Sequence, residues 1–233
     1  MAFIEKIRSS FAAAEKEKRR KSILDYSFSQ SRVLYKNDFE SGLNGWMARG
    51  PDKEHFDYGK YLIVTELTGE EAHSGKQCMK VSGRIKSWNG AILDITDYIR
   101  NDITEYESMV WVKLRDDADP CMINLSLQLV SKISGIDFPE YRLWEDYTNF
   151  SPYILSNYRL PVSAAGSAAE KWEVNYQEGY STDDGWVLLR GKTSIQKSDY
   201  ESVSVYIETS NGKTNTQEIY IDDFVLLIGK SAV

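Results

Sequence analysis

Histidine and cysteine are scarce in this chain, whose 233 residues hold two of each. With only His55 and His73, a Ser-His-Asp triad or a multi-histidine metal site has almost no material to draw on. Cys78 and Cys121 lack the Cys-x-x-Cys spacing of zinc and redox sites and are too few for a disulfide scaffold, which leaves room for a single bridge at most. Positive charge is in deficit as well. Against 35 acidic residues stand 28 lysines and arginines, a formal net charge of -7, whereas a nucleic-acid partner asks for a basic footprint. No run of about 18 apolar residues exists, and no apolar stretch follows the first charges, so neither a membrane span nor a signal peptide is expected. A glycine-rich phosphate loop is also missing.

Aromatic residues, by contrast, are plentiful: 12% of the chain, with 15 Tyr and 6 Trp. That is high for a water-soluble domain, and some of these rings are expected to face solvent.

The texture changes near residue 32. Before it, Ile4, Ile7, Phe11 and Ala14 recur at helical spacing and lead into the charge run Glu15-Lys16-Glu17-Lys18-Arg19-Arg20-Lys21, so residues 2 to about 24 read as an amphipathic helix. Because glutamates interrupt the basic run, residues 1–31 read as a helical linker against the domain rather than a membrane-surface helix. From residue 32 onward short alternating runs are separated by turn signals such as Ser41-Gly42-Leu43-Asn44-Gly45, Asn89-Gly90 and Asn211-Gly212, the rhythm of an antiparallel sandwich. Strands are predicted over 60–67, 77–83, 91–95, 107–114, 122–130, 186–195, 203–209 and 218–228, with no helix between them to imply a parallel sheet. The fold class is therefore all-β, a β-sandwich with an appended N-terminal helix, its main domain covering 32–233. Residues 131–171 break the rhythm with Pro139, Pro152 and Pro161 and read as a long insertion over one edge.

Alternation also sorts the faces. Ile123, Leu125, Leu127 and Leu129 share one face, leaving Asn124, Ser126 and Gln128 on the other; Val203, Val205 and Ile207 likewise leave Ser204, Tyr206 and Glu208 opposite. Tyr206 beside Glu208 on a wet sheet face is a combination suited to sugars: a ring covers the apolar face of a pyranose while the carboxylate accepts from hydroxyls. Trp88 sits in a polar turn between Ser87 and Asn89, where exposure is expected. Trp46 and Trp111 stand in apolar strand contexts and are expected in the core.

Several segments, taken in order, carry a resemblance: Asp38-Phe39-Glu40-Ser41-Gly42, Gly45-Trp46-Met47-Ala48-Arg49-Gly50, His73-Ser74-Gly75-Lys76, Ser82-Gly83-Arg84-Ile85-Lys86-Ser87-Trp88-Asn89-Gly90, Tyr206-Ile207-Glu208 and Tyr220-Ile221-Asp222-Asp223. Together they resemble carbohydrate-binding module family 22 over roughly 33–228. The resemblance implies a jelly-roll sandwich whose concave face holds xylan or mixed-linkage β-glucan, in an extracellular or cell-surface protein that also carries a glycoside hydrolase such as a xylanase. It places cleft functions on Arg49 (hydroxyl donor), Trp88 (stacking platform), Tyr206 (second ring) and Glu208 (hydroxyl acceptor). A further aromatic falls on Trp172, with Tyr176 nearby, and Gln128 joins the polar face. It also implies a structural calcium held by Glu40, the backbone around Lys76 and Asp222, oxygen donors that suit a hard ion. Two alternatives stay beside this reading: a sandwich that serves protein assembly, and a glycoside hydrolase using an opposed carboxylate pair, although no spaced carboxylate motif stands out.

Overall fold

The computed structural model describes residues 32–49, 63–87, 89–115, 117–131, 153–160, 184–209 and 217–228. The expected helix over 2–24 lies outside them, as do Trp88, Trp172 and Tyr176. Eleven strands are described: β1 Arg32–Asn37, β2 Met47–Arg49, β3 Val64–Thr68, β4 Cys78–Ser82, β5 Gly90–Asp94, β6 Thr104–Lys113, β7 Cys121–Ser131, β8 Tyr153–Leu160, β9 Val187–Ile195, β10 Tyr200–Thr209 and β11 Ile219–Ile228. They form two antiparallel sheets. One runs β3-β4-β11-β6-β9, with β1 also paired to β11; the other runs β2-β5-β10-β7-β8.

Why the sheets face one another follows from the alternation. Ile123, Leu125 and Leu127 of β7 and Val203, Val205 and Ile207 of β10 turn inward. They meet Val110 and Val112 of β6 and Ile221, Phe224 and Leu226 of β11 in one buried cluster. Trp46 is buried in that cluster, edge-on to Phe224 with ring centroids 5.1 Å apart, and closes one end of the sandwich as a core residue should. Trp111 is buried for a different reason. It lies on the outer side of its sheet beneath His73, whose ring stacks on it at 4.0 Å and 13°.

Three strands depart from the sequence reading. β1 and β2 are not anticipated, the second because three residues give no period to detect. β8 falls inside the segment read as an insertion, yet it is the edge strand of its own sheet, paired with β7 from Cys121↔Leu160 to Leu127↔Tyr153. Pro152 and Pro161 demoted it; at an edge, proline at a strand's ends breaks no ladder. The two cysteines are both buried and form no disulfide, at the starts of β4 and β7 in different sheets.

Candidate functional site

The outer face of the β2-β5-β10-β7-β8 sheet gathers four of the predicted sugar-binding residues. Register across β10 and β7 pairs Ser204 with Gln128, Tyr206 with Ser126 and Glu208 with Asn124, so these six side chains stand in two columns. Arg49, at the end of edge strand β2, pairs with Gly90 of β5. A side chain at residue 90 would meet the Ile207 carbonyl oxygen at 1.9 Å, so only glycine lets β5 approach β10 this closely. The same bare position leaves nothing between Arg49 and the β10 column. The guanidinium reaches across and lies 4.0 Å over the centroid of the Tyr206 ring, a cation–π contact.

One expectation needs correcting here. This face was read as wet, with Tyr206 and Glu208 exposed. Instead Arg49, Tyr206 and Glu208 are 2%, 0% and 5% exposed, and Asn124 and Ser126 are buried beside them. Alternation can tell which residues share a face, but not that a long arginine from the edge strand will fold over the ring, so polarity was mistaken for exposure.

Burial sets the electrostatics. Desolvation pushes the Glu208 carboxyl up to about 7, despite the opposing pull of Arg49 and Arg84. It also pulls Arg49 below the usual guanidinium range and lifts the Tyr206 phenol far above its own. Two polar atoms at the centre of this face, Tyr206 Oη and Ser126 Oγ, are buried without a hydrogen-bond partner of good geometry among the described residues. Buried hydroxyls without a partner are uncommon in native proteins; a ligand hydroxyl lying along the sheet would satisfy Ser126 Oγ, whereas Tyr206 Oη has Arg49 and Glu208 close beside it.

A buried residue that sequence reasoning passed over holds the edge of this face. Arg84 follows β4, and its guanidinium donates to the Asn89 and Ser87 carbonyls, to Thr209 Oγ1 at 2.7 Å and to the Gln217 carbonyl at 2.6 Å. Asn89 Oδ1 accepts from the Ile85 and Lys86 amides, closing the turn that contains Trp88 in sequence. The signal was present, because Arg84 heads the Gly-Arg segment, but a lone arginine in a polar turn has no periodic mark.

The residues assigned to a metal stand elsewhere, along the loop before β4. Glu40 Oε1 accepts from the Lys76 and Gln77 amides at 2.7 and 3.0 Å, and Asp222 Oδ2 accepts from the His73 and Ser74 amides at 2.9 and 3.1 Å. Asp222 and Asp223 sit at a β11 bulge, where the register shifts and Asp223 takes a φ of 47°. His73 Nδ1 and Ser74 Oγ bond the Asp223 carboxylate. Burial and the neighbouring Asp223 hold the Asp222 carboxyl well above the usual range. Glu40, in the bend after β1, and Asp222, in β11, thus grip one loop from two sides, and two adjoining buried acids form a site that a cation would relieve. Among the described residues no cluster of three or more His, Cys, Asp or Glu side chains is placed to hold a metal. Carboxylate and backbone carbonyl oxygens are the donors present at this loop, a chemistry that a hard ion such as calcium accepts. Lys76 is seen here through its amide on Glu40, so its part in such a shell would be its carbonyl.

Comparison with known proteins decides what this architecture is. The sequence matches the family described as "Carbohydrate binding domain" over residues 31–138. The structure superposes on the family 22 xylan-binding domain of a Paenibacillus barcinonensis xylanase with a TM-score of 0.56 at 22% identity, covering 87% of this chain and 98% of that one. In fold the chain is similar to the carbohydrate-binding modules of family 22. A second family 22 module, the C-terminal one of Clostridium thermocellum Xyn10B, superposes with a TM-score of 0.54 at 18% identity, covering 86% and 97% of the two chains. By sequence, the module is 30% identical over 205 residues to endo-1,4-beta-xylanase A of Thermotoga maritima, which is 88% of this chain and 15% of that protein. It spans about a seventh of the length of the curated xylanases it matches. Among the described residues no helix is long and apolar enough to cross a membrane.

Proposed function

We propose that this module binds β-linked plant polysaccharide, xylan foremost, along the outer face of the β2-β5-β10-β7-β8 sheet, without cleaving it. The observation that carries this reading is the buried polar cluster on that face, in which Ser126 Oγ has no partner of good geometry among the described residues and Tyr206, Arg49 and Glu208 lie buried beside it. The face offers sugar hydroxyls an arginine donor backed by the Tyr206 ring and a carboxylate acceptor, and Asn124 and Gln128 extend the polar column. A ligand lacking a hydroxyl would forgo hydrogen bonds to this buried polar cluster, which is how such a site discriminates. The relatives support xylan, being xylanases and xylan-binding domains by name; mixed-linkage β-glucan, with the same equatorial β-linkage in part of its chain, is the second ligand. Trp88 and Trp172, outside the described residues, are the further aromatics that the resemblance assigns to the sugar.

In this reading the module works outside the cell beside a glycoside hydrolase, and raises that enzyme's local concentration on its substrate by attachment. A calcium ion held by Glu40, the Lys76 carbonyl and Asp222 stabilises the loop before β4. Affinity electrophoresis against xylan and β-glucan, run with an assay for new reducing ends, tests the proposal. Retardation without release of reducing ends is expected. Release of reducing ends by the purified module, or mobility unchanged by either glycan, overturns it.

A further inference from the structure

We propose that Arg84 is the positioning residue of the recognition face: it locks the turn between β4 and β5 onto the end of β10 and thereby fixes the place and the charge state of Glu208. This rests on the sugar-binding reading of that face. Its geometric half begins at the guanidinium, which is buried and reaches four acceptors at once. Two are carbonyls of its own turn, Ser87 and Asn89; one is Thr209 Oγ1, on the residue after Glu208; one is the Gln217 carbonyl at the entry to β11. Thr209 returns the contact, donating from both its amide and its hydroxyl to the Ser87 carbonyl. A planar fork with donors on three nitrogens makes such a four-way node; an ammonium cannot reproduce it.

The electrostatic half follows from what the acceptors are. All four are neutral, so the node satisfies the guanidinium's hydrogen bonds without cancelling its charge. Burial pushes Arg84 down to about 10, so it stays protonated at neutral pH, and the acidic groups that feel it are Cys121, Tyr206 and Glu208. Cys121 is itself pushed up to about 11 by burial and Tyr206 far higher, so Glu208 is the one that ionises near neutrality. The groups that face Glu208 are Arg49 from β2, Tyr206 from β10 and Arg84 from the turn, with the neutral Asn124 opposite it on β7. Arg84 is therefore one of two cations that keep the carboxylate available as an acceptor for sugar hydroxyls.

Two variants separate the halves. Arg84→Lys keeps the charge and loses the fork; Arg84→Gln loses both. Each is first checked for a cooperative melt, and Glu208 is then titrated by carboxyl carbon-13 resonance while xylan binding is measured by calorimetry across pH 5.5 to 9. Expected are xylan affinities at pH 8 at least fivefold weaker in both, and a Glu208 midpoint raised by about one unit or more in Arg84→Gln only. Parental affinity in a folded Arg84→Lys overturns the geometric half, and if Arg84→Gln does not fold this variant decides alone. An unmoved midpoint in a folded Arg84→Gln overturns the electrostatic half. Should the parent bind no xylan, the functional reading fails, while the titration still decides whether Arg84 governs Glu208.

Discussion

Replacing Glu208 by glutamine should stabilise the fold at alkaline pH and have no such effect in acid. The carboxyl rises from its ordinary 4.5 to about 7 because burial disfavours the charge more than Arg49 and Arg84 favour it. The folded state accordingly binds more protons than the unfolded one between those two values. For an acid shifted upward the sign is definite: stability is greatest below pH 4.5, falls as the pH climbs through the window, and levels off above about 7. A shift of this size corresponds to about 3 kcal/mol at full effect, an upper figure because relaxation of the buried site reduces it. Glutamine keeps the shape and never ionises. Against the parent it should gain nothing at pH 4.5 and on the order of 1–3 kcal/mol at pH 8, several degrees in melting temperature for a domain of this size. Paired denaturant titrations at half-unit steps from pH 4.5 to 8.5 measure the difference directly, since every other titrating group is common to both proteins. A difference that stays flat with pH, or that favours the parent as pH rises, refutes the reasoning. A group kept at such a cost to the fold is expected where function requires it.

Removal of calcium by exhaustive chelation should lower the melting temperature of the module, by the mass-action effect of an ion bound only when folded, and Asp222→Asn should abolish the difference; unchanged melting with no metal by elemental analysis contradicts the assignment to Glu40, Lys76 and Asp222. Trp46→Ala, which empties the space edge-on to Phe224, should cost about 3–5 kcal/mol of stability, and a loss below about 1 kcal/mol by denaturant titration would remove it from the core. Gly90→Ala should destabilise by about 1–3 kcal/mol or more, because the new carbon must displace the Ile207 carbonyl; a thermally neutral variant would show that the strand separation is not constrained there.

Much of the sandwich was legible because half-buried strands write their faces at period two. The sets Asn124-Ser126-Gln128 and Ser204-Tyr206-Glu208 could each be read from their own strand, while the pairing of β7 with β10 and its register come from the structure. What escaped detection has no period. β2 is three residues long, β8 lies between prolines, and the Arg84 node joins residues 84, 89, 209 and 217, which only the folded chain brings together. The burial of Glu208 escaped for a related reason. Its cover includes Arg49, which reaches it across Gly90, and a glycine between two polar residues of different strands has no signature before the strands are paired. Asp222 lies in the other sheet from Tyr206 and Glu208, and its partners His73 and Ser74, 149 and 148 positions away, were legible only through the resemblance.

The central claim is that xylan is held on the outer face of the β2-β5-β10-β7-β8 sheet, and isothermal titration of soluble xylan into the parent, Tyr206→Ala and Glu208→Gln at pH 8 tests it most directly. Loss of a charged acceptor is worth about 1.5–3 kcal/mol, and loss of the Tyr206 ring that holds the Arg49 donor in place on the order of 1 kcal/mol. The account predicts binding by the parent, about fivefold or greater weakening in Tyr206→Ala, and tenfold or greater weakening in a Glu208→Gln variant that melts no lower than the parent. Equal affinity in all three proteins, or no heat of binding from the parent, contradicts it.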